Sequence, residues 1–177
     1  MDANEYQAAA ARTLIMEPDT TFTNEELAIM FSALELGAAV GKVLDYIKKG
    51  ICHRHGFKMY ELGNILVDMS DAAVALAHID RSAAPKYELS GNEQMQIWCA
   101  LGLGGESGEF MDQITYQDLD KEEMIKEAGD VAWYLAALCS LIGVPMSDVM
   151  QANIDKLNKR FPDGWGSEAS KARVDTL

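Results

Sequence analysis

Apolar residues recur every three or four positions through 27–49, 59–79, 93–114, 122–142 and 147–161, and none of these stretches alternates as a half-buried strand does. That period predicts five amphipathic helices and an all-α chain. The breaks fall where turn chemistry places them. Gly50 to Gly56 interrupts the first helix pair, and Gly143-Val144-Pro145 stops the fourth helix, with Ser147 expected to cap the fifth. Phe161-Pro162-Asp163-Gly164 ends the last one. The stretch 81–91, with Ser82, Pro85 and Ser90, reads as a linker, and 166–177 as a polar tail.

The same pattern repeats. At a constant offset of 67, Leu34, Leu36, Gly37, Gly41, Asp45 and Ile47 meet identical residues at 101, 103, 104, 108, 112 and 114. Upstream, Glu26, Phe31 and Ala33 face Glu93, Trp98 and Ala100; downstream, after a length change, Asp68 and Asp71 align with Glu127 and Asp130. Glycines and acids in register point to a tandem duplication, with repeats at 1–80 and 92–165. A two-helix hairpin cannot bury its apolar stripe alone, so the expected architecture is a helical bundle of two repeats packed as a pseudo-dimer.

Composition narrows the partners. The chain of 177 residues carries a formal net charge of −13, split −5 over 1–90 and −8 over 91–177. An acidic surface argues against a nucleic-acid polymer, whose phosphates need a surplus of Lys and Arg. It leaves a small phosphorylated ligand open, because divalent metal reverses the local field. No apolar run is expected to approach the ~18 residues of a membrane span, and Met1–Tyr6 lacks the pattern of a secretory signal. Cys52, Cys99 and Cys139 are an odd count without a CxxC pair, read as free thiols. A cytoplasmic protein without a membrane partner is expected.

The candidate chemistry lies in the more acidic half. Glu106 and Glu109 are three apart, as are Glu127 and Asp130, so each pair projects from one helix face. If the two helices pack antiparallel, four carboxylates converge, and they cannot all stay ionised without positive charge among them. Mg²⁺ meets that demand and usually arrives with substrate phosphates. Gly104, Gly105, Gly108, Ala128 and Gly129 surround the acids, and helical glycines cost about 1 kcal/mol each relative to Ala. Such an expense suggests room for a close backbone or a ligand.

Gly-Glu-Ser-Gly-Glu (105–109), Lys-Glu-Ala-Gly-Asp-Val-Ala-Trp-Tyr-Leu (126–135) and Asn-Ile-Asp-Lys-Leu-Asn-Lys-Arg-Phe-Pro (153–162) resemble the three signature stretches of MazG-like nucleotide pyrophosphohydrolases. That all-α superfamily also holds dimeric dUTPases and phosphoribosyl-ATP pyrophosphohydrolases. The resemblance covers roughly 92–165. It implies hydrolysis of a nucleoside triphosphate to the monophosphate and pyrophosphate, with Mg²⁺ (or Mn²⁺) held by Glu106, Glu109, Glu127 and Asp130. The first repeat is similar to the same family but degenerate. Ala39 and Lys42 stand at its first metal pair, and Asp68 and Asp71 at its second, so it should lack a complete site.

The remaining assignments follow from position and resemblance together. Glu106 or Glu109 would act as general base. Lys156 and Arg160, four apart, would clamp the outer phosphates, and Asn153 on the same face would bond a sugar or phosphate oxygen. Tyr134, four after Asp130, would stack on base or sugar; Trp98 and Trp133 read as core. Lys48, Lys49 and His55 in the degenerate repeat would reach the nucleotide in the other one. The chain would be a monomer closed by its own pseudo-dimer, or a homodimer. A dUTPase-like or phosphoribosyl-ATP-specific enzyme is the near alternative, and a non-catalytic helical nucleotide-binding or interaction protein the distant one.

Overall fold

Thr23 and Ser90, 67 residues apart, begin two long helices with the same device. Thr23 Oγ1 accepts from the Glu26 N–H, and the Glu26 carboxylate accepts from the Thr23 N–H and hydroxyl at 2.8 and 2.9 Å. Ser90 and Glu93 repeat the exchange at 2.8 and 2.7 Å. Each capping box satisfies backbone donors that a helix start leaves open. In the computed structural model, which describes residues 1–14, 22–80, 86–115 and 120–173, these boxes open α2 (Asn24–Ile51) and α4 (Gly91–Thr115). The other elements are α1 (Ala3–Ala10), α3 (Met59–Ala77), α5 (Lys121–Leu141), α6 (Met146–Arg160) and α7 (Ser167–Ala172). Among the described residues there is no strand, so the all-α expectation holds. The periodic stretches became α2 to α6, and α1 and α7 lie outside them.

The chain divides into two compact units. Met1–Leu34 with Asp80–Ser147 form the first, and Glu35–Ile79 with Asp148–Leu177 the second. In the first unit, α5 is the central helix, with α4 and α1 packed on it. Met95, Cys99, Ala137, Leu141 and Leu14 form one buried cluster, flanked by Trp98, Trp133, Tyr134 and Leu138. Ala10, Ala136, Cys139 and Met146 form the other, against Ala3, Tyr6 and Trp133. Because Cys99 meets the C-terminal part of α5 while the later residues of α4 meet its N-terminal part, the two helices run antiparallel. Trp98 and Trp133 are core-flanking, as expected. Cys99 and Cys139 are buried free thiols, but Cys52 is exposed.

Helix α1 supplies an unexpected clamp. The Gln7 amide donates to Ser140 Oγ at 3.2 Å and to the Val144 carbonyl at 3.0 Å, and Gln7 Oε1 accepts from the Met146 N–H at 2.7 Å. Asn4 Oδ1 accepts from the Ser147 N–H at 3.1 Å. The start of α6 is therefore capped by side chains of another helix. Ser147, expected as the cap, is instead its second residue. Gln7 is half-buried, and its loss leaves three polar partners to find water or go without. Gln7→Ala is expected to cost about 1–3 kcal/mol, read by urea unfolding; a midpoint equal to wild type would show that the clamp carries no stability.

In the second unit, the stretch between α2 and α3 is folded back on the end of α2. The His53 and His55 N–H groups donate to the Lys48 and Lys49 carbonyls, both at 3.2 Å. Arg54 between them takes a left-handed conformation (φ 57°), as does Gly56 (φ 96°), and a non-glycine residue there costs roughly 1–2 kcal/mol. The Tyr46 hydroxyl accepts from the Lys58 N–H at 3.0 Å and donates to the Glu61 carboxylate at 2.9 Å. Phe57 lies so close over Gly50 that a Cβ there would fall 2.8 Å from its ring. Helix α7, in the stretch expected to be only a polar tail, buries Ser170. Helix α2 corrects the expectation that no apolar run approaches a membrane span: it meets the length and composition of one, with Glu35 and Lys42 as charges within its apolar stretch.

Candidate functional site

The antiparallel pairing of α4 and α5 sets the two acid pairs against each other. Carboxylate oxygens of Glu106, Glu109 and Glu127 all lie within 4.8 Å of one another. Glu106 and Glu127 are half-buried, and Glu109 and Asp130 are exposed. Asp130 stands outside the tight trio, yet its charge acts on both half-buried members. Burial, then Glu109, Asp130 and Glu127, push the Glu106 carboxyl above its ordinary range. Burial also raises Glu127, followed by Glu109, Asp130 and Glu123, with Lys126 opposing. Lys126 is itself held by Glu123. Carboxylates this close compete for protons, and a cation among them would favour their ionised forms.

Tyr134 sits at the inner edge of this group. Its ring is half-buried and meets Trp98 and Trp133 edge-on, at centroid distances of 6.0 and 4.9 Å. Burial raises its phenol's pKa, as do Glu106, Cys99 and Asp130, so the phenol lies on the acidic side, as its i+4 spacing from Asp130 predicts. The close approach that admits it occurs at Gly102. A Cβ there would fall 2.2 Å from the Tyr134 ring. Gly104, Gly105, Gly108 and Gly129 have nothing within 4 Å of an added Cβ, so the four glycines beside the acids border open space and do not mediate helix contact. From the other side, the Tyr6 hydroxyl donates to the Gly129 carbonyl at 3.2 Å, tying α1 to the backbone between Glu127 and Asp130. The role of Gly102 is not readable from sequence, since in Leu-Gly-Leu-Gly-Gly nothing marks which glycine faces the ring.

Two substitutions separate these roles. Gly102→Ala should destabilise by about 1–3 kcal/mol through overpacking against Tyr134, despite alanine's better helix propensity. Gly104→Ala should stabilise by roughly 0.5–1 kcal/mol. Thermal melts of both read the difference, and equal effects in the same direction would refute the assignment of close contact to Gly102.

The other predicted residues belong to the second unit. Asn153 and Lys156 are exposed on α6, and Arg160 is half-buried with its guanidinium 5.8 Å from the Phe161 ring centroid. Lys48 pairs with Asp45 at 2.8 Å and Lys49 pairs with the same carboxylate. Hydrogen bonds from these two lysines hold Asp45 down at about 2. His55 Nε2 lies 3.0 Å from Ser170 Oγ. At the positions expected to match the acids in the first half, Ala39 is buried, while Lys42, Asp68 and Asp71 are exposed. Among the described residues Glu106, Glu109 and Glu127 are the one group placed to share a metal ion. Its donors are all oxygen, close and mutually repelling, which fits a hard divalent cation such as Mg²⁺ or Mn²⁺.

The profile of the MazG nucleotide pyrophosphohydrolase domain matches residues 96–165, a stretch that contains all four acids. "Gene 37 protein" of Mycobacterium phage L5 is 35% identical over 76 residues, covering 38% of this chain and 67% of the relative. The chain belongs to the MazG-like family. "Uncharacterized protein YvdC" of Bacillus subtilis (strain 168) is 49% identical over 41 residues, 23% of this chain, and the chain spans 39% of that relative's length. No solved structure matches. The MazG-like domain is a nucleotide pyrophosphohydrolase domain, so the general activity is that of a hydrolase acting on a nucleotide.

Proposed function

We propose that the protein hydrolyses a ribo- or deoxyribonucleoside triphosphate to the monophosphate and pyrophosphate, with Mg²⁺ as its cofactor. The convergence of Glu106, Glu109 and Glu127 within 4.8 Å carries this reading, with Asp130 as the fourth ligand. Bound there, the metal would polarise the α-phosphoryl group and neutralise the departing pyrophosphate. Water attacks the α-phosphorus, the bond to the α–β bridging oxygen breaks, and the water's proton passes to Glu106 or Glu109, whichever oxygen is not committed to metal. Tyr134 stacks on base or sugar. Lys156 and Arg160 clamp the outer phosphates and Asn153 bonds a sugar or phosphate oxygen, while Lys48, Lys49 and His55 add positive charge from the degenerate repeat.

The capping boxes at Thr23 and Ser90 support the tandem-repeat reading, since α2 and α4 start 67 residues apart on the same chemistry. In that reading 1–80 is a degenerate repeat and 92–165 the catalytic one, cytoplasmic, closed as a pseudo-dimer or paired as a homodimer. The test is incubation with Mg²⁺ and a panel of triphosphates, with separation of pyrophosphate from phosphate. Monophosphate plus pyrophosphate, lost on chelation, is expected. Turnover of only dUTP or phosphoribosyl-ATP would reassign the substrate within the superfamily, and no turnover on any of them would overturn the reading.

A further inference from the structure

Residues 48–58 and 170–173 hold six of the chain's 15 Lys and Arg, two of its three His, and no Asp or Glu. In a chain of net charge −13, that concentration is unusual, and the fold of the second unit brings the two segments together. His53 Nδ1 and His55 Nε2 converge on one atom, Ser170 Oγ, at 3.1 and 3.0 Å. Ser170 is 3% exposed. A hydroxyl has one proton, so it donates to at most one ring nitrogen and accepts from the other as N–H. The pair is thereby oriented by a buried serine, with Trp165 edge-on to His53 at 6.0 Å.

Around this centre Lys171 is held by Glu168 at 2.7 Å, Lys48 and Lys49 by Asp45, and Lys58 by Glu61 at 2.9 Å. The four lysines thus share three partner acids, and each lysine ammonium has three donors. We infer that His53, His55, Ser170, Lys171 and the end of α2 at Lys48 and Lys49 form an anion site for a phosphate-bearing ligand. None of its residues belongs to the acid quartet, and the choice of a polyphosphate as its ligand rests on the proposed reaction. That His55 is held below its ordinary range by burial, then by His53, Lys171, Lys49 and Arg173, agrees with a positive field awaiting an anion.

The chain has three histidines, so its imidazole C–H spectrum has an internal control. His78 binds its own helix, Nδ1 to the Val74 carbonyl at 2.9 Å. Inorganic pyrophosphate, titrated into the full chain with EDTA present, should shift His53 and His55 saturably and leave His78 unmoved. Lys171→Ala should weaken the apparent affinity at least about tenfold. If that variant disturbs the ligand-free spectrum, Lys48→Ala makes the same test away from α7. Absence of a saturable shift, or shifts unchanged in both variants, would overturn the site and leave Ser170 as a packing residue. Kinetics then identify the source of the anion. A raised KM for triphosphate in Lys171→Ala assigns the site to the substrate's own phosphates. Unchanged KM with weakened pyrophosphate binding assigns it to a free phosphate-bearing ligand. Triphosphate turnover without histidine shifts would defeat this site alone, and histidine shifts without turnover would defeat the pyrophosphohydrolase reading alone.

Discussion

Glu106→Gln is expected to lower triphosphate turnover on the order of 10²–10³-fold while raising the melting temperature of the metal-free protein. The two effects have opposite signs because the site is arranged for a charge it does not itself contain. In the folded chain Glu106 is raised above its ordinary range by burial, then Glu109, Asp130 and Glu127; unfolded, it ionises near 4.3. Between those values the folded state binds more protons than the unfolded one, so stability falls as pH rises through that window and stays lower at neutral pH. A neutral carboxamide of the same shape removes that repulsion together with a metal ligand. Melting curves from pH 4 to 8 with EDTA should therefore show a wild-type decline through the carboxylate range that is shallower in Glu106→Gln. A variant that loses activity and stability together would make Glu106 a structural residue and undo the assignment.

Such opposed effects were legible only in part from the sequence. The period of three to four residues gives α2 to α6 because each has at least four turns over which an apolar stripe can be read. Helix α1 is Ala-rich and eight residues long, and α7 has six, too few turns for a stripe to show. The acid pairs were readable because i,i+3 spacing fixes one helix face whatever the tertiary structure, and a short connection leaves an antiparallel hairpin as the natural outcome. Azimuth was not readable. That Gly102, rather than its neighbours, meets Tyr134 depends on how α4 is rotated against α5. The same limit applies to Gln7, whose contacts lie more than 130 residues away in sequence, and to Ser170, whose partners are over 110 residues distant. Spacing finds what one element presents, and packing decides what a second element brings to it.

Addition of Mg²⁺ should reverse the instability that the acids create. At a metal concentration 100 times its dissociation constant, binding to the folded state alone contributes about 2.7 kcal/mol. For a chain of this length that corresponds to roughly 5–10 °C in melting temperature. The increment has its own pH dependence, because protons and metal compete for the same oxygens. Glu106 and Glu127 both have raised affinities for protons, so the Mg²⁺-induced shift should be large at pH 7.5 and shrink steadily as pH falls toward the carboxylate range. Glu127→Gln should reduce it at every pH, since it removes one of the three convergent carboxylates. Asp68→Asn, on α3, should leave it unchanged, because no metal cluster forms there among the described residues. Differential scanning fluorimetry across a Mg²⁺ and pH grid reads all four results. A shift that is equal in wild type and Glu127→Gln would mean that the ion binds elsewhere, and the quartet would revert to four mutually repelling surface acids.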